Sequence, residues 1–451
     1  MTSMHKPAVS SSQRARPRHG VSTTESFQAE YRKSVLPSGV RVVSERIPHV
    51  RSVALGVWLN VGSRDELYER NGISHFVEHM VFKGTRHYRS GQIARSLESV
   101  GGYLNAFTSK ESTCFYARVL DQHVERAVDV LSDLVQYPLF DPKELEKEKQ
   151  VVLEELKTME DDPDELIHDY FDRTMFGDHP LGFSVIGRPD SISSFDRPTL
   201  LEHLRRHYVP HTLVVASAGN LDHDTLSALV EDRFRFHSSG GRKNSRRANA
   251  AAKRFAPKME QYEKPISQAH VCMGTMAFGV RSRHRYPLLV LNTLLGEGMS
   301  SRLFQNIRER YGFAYNVFSF ANIMSDTGTF GVYVGTDSAN IENSVELIHK
   351  ELMKLRTKPV SNAELERTKE QLKGTMMLSL ESMSSRMMRL GSEELIFGKH
   401  VTLDSIIGNI EAVTRDEVSE VADAVCDETK YSTVIFKPAE PNAAAHSARS
   451  I

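Results

Sequence analysis

The chain has 451 residues, 40% of them apolar and 25% charged, and its 57 basic and 58 acidic side chains leave a net charge of -1. This composition excludes a disordered or fibrous protein, and the length favours two or more domains over one. The balanced charge gives no ground for nucleic acid or an anionic membrane as the partner.

Cys114, Cys272 and Cys426 are too dispersed for a thiolate-rich metal site or a disulfide framework. The apolar runs, "VALGVWLNVG" among them, are too short and interrupted to span a bilayer. Residues 1–30 hold serine, proline and arginine without an apolar signal core, so a disordered tail is expected there; the segment's basic character also permits an organelle transit peptide. Strand-like runs then flank the turn residues Pro37, Ser38, Gly39 and Pro48. Helices are expected over 72–82 and 90–100, a hairpin over 101–120, and helices over 124–136 and 142–159. A strand follows at 213–218, with a helix starting near Asp222.

The stretch 237–262 is rich in glycine, alanine and basic residues and lacks apolar periodicity, which marks it as a linker near the middle of the chain. Beyond it the order of elements recurs. "ISQAHVCMGTMAFGV" stands in the place of "VRSVALGVWLNVG", "YPLLVLNTLLG" in that of "GISHFVEHMVFKG", and "SDTGTFGVYVGT" in that of "KESTCFYARVL". The paired helices of 351–377 echo those of 133–156. A degenerate internal duplication follows, and because the second copy has no histidine on the matching helix, chemistry is expected in the first half alone.

The sharpest local signal is "GISHFVEHMVFKGT". On a helix, His75 and His79 lie one turn apart with Glu78 on the same edge, so two imidazoles can bind one zinc ion while the carboxylate poises a water. Three fixed positions make a weak pattern by themselves. The turn glycines Gly72 and Gly84 and the apolar Phe76, Val77, Met80, Val81 and Phe82 strengthen it, because the polar trio would be costly to bury without a partner. A third ligand should come from another helix, where Glu148, Glu154 and Glu155 are candidates. Glu148 and Glu155 share a face, about two turns apart. Spacing does not choose among them.

With "GGYLNAFTSKESTCFYA", "GDHPLGFSVIGRPDSI" and "GEGMSSRLFQNIRERYGFAY" added to "HFVEH", the sequence resembles the pitrilysin superfamily of zinc metallopeptidases (peptidase family M16, subfamily M16B). It is similar there to the mitochondrial processing peptidase β subunit and its bacterial relatives. The likeness runs from about residue 31 to 436, and Ser74 stands where many relatives have alanine. It implies an α+β fold of two homologous domains, each a mostly antiparallel sheet packed against helices, forming a clamshell. Strand and helix alternation alone also permits a doubly wound parallel sheet. The expected division is a tail over 1–30, a zinc-binding domain over 31–236, the linker over 237–262, a domain without metal over 263–437 and a tail over 438–451.

The resemblance implies His75, His79 and Glu155 as ligands of one Zn2+ per chain, Glu78 as general base, and Glu148 as the carboxylate that orients the site. It implies substrate contacts from Phe82, from Asn105 and Ala106 on an edge strand that a peptide extends, and from Arg308 and Tyr315 of the second half. Glu165 and Asp169 match carboxylates that bind an arginine upstream of the cut. The expected activity is a zinc metalloendopeptidase acting on extended peptides or unfolded segments, with arginine before the cut and an apolar residue after it. The competing reading is a non-catalytic subunit of a processing or respiratory-type complex. The absence of the long glycine-rich insertion of the processing peptidase α subunit, with only "LLGEGMSSRL" present, argues against that competitor. A homodimer in the bacterial cytoplasm is expected, the alternatives being a related inactive subunit as partner and the mitochondrial matrix as compartment, with no nucleic acid and no membrane span.

Overall fold

A computed structural model describes residues 30–236 and 256–439; the terminal tails and most of the linker expected from the sequence lie outside the described residues. In the first half the strands are β1 (Glu30–Val35), β2 (Arg41–Arg46), β3 (Ser52–Leu59), β4 (Tyr103–Thr108), β5 (Thr113–Leu120) and β6 (Leu213–Gly219), in the order β1-β2-β6-β3-β5-β4. All neighbours pair antiparallel except β2 with β6. The second half has β7 (Met259–Lys264), β8 (Ala269–Ala277), β9 (Ala314–Ile323), β10 (Gly328–Thr336) and β11 (Ser432–Pro438), in the order β7-β11-β8-β10-β9. Its parallel pair is β7 with β11. β7 begins within the stretch read as linker.

Setting β2, β6, β3, β5 and β4 beside β7, β11, β8, β10 and β9 matches both the strand order and the sense of every pairing. The duplication legible in a few sequence identities is thus a duplication of topology, with β1 an addition to the first sheet. Each half is a mostly antiparallel sheet packed with helices, and together they make an α+β clamshell.

The central strands read as unbroken apolar runs because both faces of the sheet are covered. Val53, Leu55 and Val57 of β3 face a core shared with helices Ile73–Val81 and Val124–Gln136. Ala54 and Trp58 face the other way, into a cluster with Met387 and Leu390 of helix Met383–Phe397, which belongs to the second half. The exchange is mutual: Leu166, Ile167, Phe171, Met175 and Phe176 of helix Pro163–Phe176, from the first half, pack with Cys272, Tyr333, Val434 and Phe436 of the second sheet. A Cβ on Gly391 would sit 2.1 Å from Trp58 Nε1, so the exchanged helix comes as close to the sheet as only glycine allows. Five such side chains at roughly 1.5–3 kcal/mol each approach the ~5–15 kcal/mol net stability of a domain, so the halves do not separate without losing helices from both sheets.

Where β4 turns into β5, the tip residue Glu111 meets the tip of the β9–β10 hairpin: it accepts from Ser325 N at 2.9 Å and from Arg64 at 2.6 Å, while Arg64 also pairs with Asp326 at 2.7 Å. This junction fixes the free edge of the first sheet relative to the second half. Among the described residues no helix is long and apolar enough to cross a membrane.

Candidate metal centre

Helix Ile73–Val81 carries two stripes. Ile73, Phe76, Val77, Met80 and Val81 recur at helical spacing and enter the first core, which leaves His75, Glu78 and His79 together on the opposite face. Gly72 starts the helix at φ +91°, and a Cβ there would meet Ile186 O at 2.4 Å. Glycine has no side chain to cap the helix, and Glu66 does so from six residues away, accepting from Gly72 N at 2.7 Å, Ser74 N at 2.8 Å and Asn71 Nδ2 at 3.1 Å. Burial pushes the Glu66 carboxyl up to about 7 against the downward pull of these bonds.

Asp141 caps helix Pro142–Glu160 by accepting from Lys143 N and Glu144 N, with Pro142 at the first helical position. This helix brings Glu155 to the histidines, with Oε1 3.8 Å from His75 Nε2 and Oε2 3.5 Å from His79 Nε2. One donor atom from each of His75, His79 and Glu155 lies within 4.8 Å of the others, a set that could hold a metal ion. Glu154, left open by the spacing, instead pairs in solvent with Lys157 at 2.7 Å.

The donor chemistry fits zinc. His79 Nδ1 meets Glu148 Oε1 at 3.0 Å, which makes Nδ1 the protonated nitrogen and leaves the Nε2 lone pair toward Glu155. Glu155 Oε2 is buried without a hydrogen bond, its 3.5 Å separation from His79 Nε2 being too long for one. Burial, with His79 adjacent, pulls His75 down to about 3, so its imidazole is neutral, as a ligand must be. Burial also pulls His79 down, but the bond to Glu148 and the charges of Glu155, Glu148 and Glu78 outweigh it and leave His79 raised. Burial raises Glu148, yet His79 and Lys83, whose Nζ is 2.7 Å from Oε2, bring it below the usual carboxylate range.

Glu78 is buried beside the two imidazoles and accepts a hydrogen bond from Thr108 Oγ1 at 2.6 Å. Burial raises its carboxyl, Thr108 and His79 oppose that, and Glu155 adds to it. A raised carboxylate beside a metal site is suited to carrying a proton in either direction.

The remaining expected contacts are spread more widely. Phe82 ends the histidine helix half-buried, its ring 6.2 Å from that of Phe115. Asn105 and Ala106 lie on β4, which among the described residues pairs only with β5 and so leaves its other edge open; Ala106 N donates to Asn105 Oδ1 at 2.8 Å. The Arg308 guanidinium is 5.7 Å from the ring of Tyr315, which is 73% exposed on β9. No hydrogen bond, ion pair or ring contact joins that pair to the metal cluster among the described residues. Asp169 lines a cleft of about 580 Å³ with Tyr68, Met159, Arg173 and Arg188, whereas Glu165, one turn before it, is exposed and outside that lining. Glu66, Lys83 and Thr108 went unnoticed in the sequence, since no motif marks a carboxylate that caps a helix from a distance or a strand threonine that reaches a neighbouring helix.

Two family models match: "Insulinase (Peptidase family M16)" over residues 41–188 and "Peptidase M16 inactive domain" over 194–372. The chain is 42% identical over 402 residues to the "Uncharacterized zinc protease YmxG" of Bacillus subtilis, covering 89% of this chain and 97% of the relative. It is 38% identical over 410 residues to an uncharacterized zinc protease of Streptomyces coelicolor, covering 90% and 87%. A protease from Helicobacter pylori has the same fold, with a TM-score of 0.84 at 22% identity over 91% of this chain and 100% of that one. So does a chain of complex III2 from Candida albicans, with a TM-score of 0.77 at 19% identity over 90% and 95%.

Proposed function

The chain belongs to peptidase family M16, the pitrilysin superfamily, and on that footing we propose that it is a zinc-dependent endopeptidase cleaving extended peptides or unfolded protein segments. The observation that carries this reading is the convergence of His75, His79 and Glu155 with Glu78 on the same helix face. His75 and His79 through Nε2, and Glu155 through its carboxylate, would hold one zinc per chain. Zinc held there supplies a Lewis acid that acidifies water and polarises a peptide carbonyl. Glu78 takes the proton of the attacking water and returns it to the departing nitrogen. Glu148 keeps the His79 tautomer and ring orientation, and Lys83 balances its charge.

Substrate handling follows the open edge of β4. A peptide adding there as a strand gains main-chain hydrogen bonds regardless of sequence, and Asn105 and Ala106 lie at that edge. Phe82 is the apolar neighbour for the residue after the cut, Asp169 with Glu165 the acidic attraction for an arginine before it, and Arg308 with Tyr315 the donors from the second half. The reading divides the chain into a metal-bearing domain over 31–236 and a domain without metal over 263–437, which β7 extends back to Met259. It takes the working form as a homodimer in the cytoplasm, and the source as bacterial, as the relatives named above are. A complete donor set favours an enzyme over a non-catalytic subunit, which has no use for it.

The test is cleavage of a peptide library by purified, zinc-loaded protein, with the cuts mapped by mass spectrometry and the assembly mass measured alongside. Internal cuts, abolished by chelation and enriched in arginine two positions upstream, are expected. No cleavage by zinc-replete protein would overturn the enzyme reading, and cuts indifferent to arginine would remove the acidic subsite.

A further inference from the structure

We propose that Thr108 is a positioning residue for Glu78, fixing one carboxylate oxygen so that the other stays available for proton transfer; this rests on the reading of Glu78 as general base. Thr108 Oγ1 donates to Glu78 Oε2 at 2.6 Å, while Oε1 carries no hydrogen bond among the described residues. The two oxygens are therefore inequivalent. Thr113 Oγ1, 3.4 Å from the Thr108 hydroxyl, donates to Val61 O at 3.0 Å, and the shorter bond to a carboxylate wins the Thr108 proton.

The donor comes from a strand whose end is also held by segments other than the histidine helix. Thr108 ends β4, and the turn after it is held by Ser63 N to Ser109 O at 3.2 Å and Arg64 N to Lys110 O at 2.8 Å. A Cβ on Gly62 would lie 2.3 Å from Ser109 O, so the turn sits directly on the 62–64 backbone. Glu111 of the same turn is tied to Ser325 and Arg64, which extends the support to the second half. Tyr208 and Cys114 are buried close enough to feel the charge of Glu78, yet neither donates to it, which leaves Thr108 as the side chain that bonds this carboxylate among the described residues. Without the hydroxyl the carboxylate is free to turn about its last torsion, and a general base off its line by about 1 Å loses much of its effect. The strand that would align the peptide is thus also the strand that would hold the base.

The experiment measures kcat, KM, zinc content and circular dichroism for full-length zinc-loaded wild type, T108V, T108S, E78Q and the double variant T108V/E78Q, on one peptide whose cut site has been mapped. Valine keeps the shape and strand preference of threonine and removes only the hydroxyl. T108V should lower kcat about tenfold or more, with KM within about threefold and zinc content unchanged, since a hydrogen bond to a charged group is worth at least that. T108S should recover to within about threefold of wild type, and T108V should add nothing in the E78Q background. Wild-type turnover by T108V, with E78Q inactive, would overturn the proposal and leave the base assignment standing. Equal damage in T108V and T108S would assign the effect to the methyl group and overturn it as well. Should T108V fold poorly, T108A against T108S makes the same comparison. Wild-type turnover by zinc-replete E78Q would overturn both the base assignment and this proposal.

Discussion

The two halves fold on one plan and differ in what they place at one point of it. After the third strand of the shared order, the first half has helix Ile73–Val81, with an apolar stripe in the core and a polar face carrying two histidines and a glutamate. The second half has helix Arg285–Gly296, whose Leu288, Leu291, Thr293, Leu294 and Leu295 are buried and which carries no histidine. The second version is the easier one to build, because apolar side chains need no partners. The first requires Glu66 at the helix start, Glu148 behind one histidine and Thr108 on the carboxylate, supplied by three further segments, together with Lys83 just past the helix's own end. The difference teaches that the topology is a scaffold indifferent to chemistry, and that the site is a local exception supported from around it.

The most severe way to break the contrast is His79→Ala, which should abolish zinc retention and lower peptide turnover by at least about a hundredfold, since a catalytic zinc needs its three protein ligands. Thr293→Ala on the counterpart helix removes only the bond to Glu297 at 2.6 Å and should leave zinc and turnover unchanged at a cost of about 1 kcal/mol in a urea melt. Stoichiometric zinc in the His79 variant would mean that this helix does not distinguish the halves. Next in size is Glu148→Gln, which keeps an oxygen near His79 Nδ1 but loses the charge; chelator competition should show zinc affinity reduced roughly tenfold.

The smallest effect concerns the exchanged helix. His270 on β8 lies 2.9 Å from Asp164 of helix Pro163–Phe176 and 2.8 Å from the Tyr333 hydroxyl. Burial holds its imidazole below the ordinary value, only partly opposed by Asp164 and Asp162. As pH falls below about 6.5 the unfolded chain takes up this proton before the folded one, so the associated stability is present above that pH and is lost on acidification. Thermal melts from neutral to mildly acidic pH should therefore decline less steeply for His270→Gln than for wild type. Parallel declines would remove His270 from the account.

Helix limits were legible where end signals are local. Pro142 at the start of one helix, and Gly72 and Gly84 on either side of another, mark helices that form almost as the spacing predicts. The duplication was legible because apolar strands and helices recur in one order. Which sheet a helix covers was not: Leu166, Ile167 and Phe171 announce a buried face, but nothing in that spacing says that the face belongs to the other half. The choice between Glu154 and Glu155 was likewise open to helical spacing, because one residue is a rotation of about 100°, which only the placement of the neighbouring helix resolves. Thr108 and Glu66 act across segments, and a threonine in a strand or a glutamate in a loop has many commoner uses.

The most direct test of the central claim pairs metal content with turnover on the same preparations of wild type, Glu78→Gln and Glu155→Gln. The account predicts about one zinc per chain in wild type and in the Glu78 variant, with turnover of the latter reduced by roughly a hundredfold or more, as expected when a general base is lost. The Glu155 variant should lose zinc and activity together. A zinc-replete Glu78 variant that cleaves like wild type, or a Glu155 variant that keeps its zinc at full affinity, would contradict it.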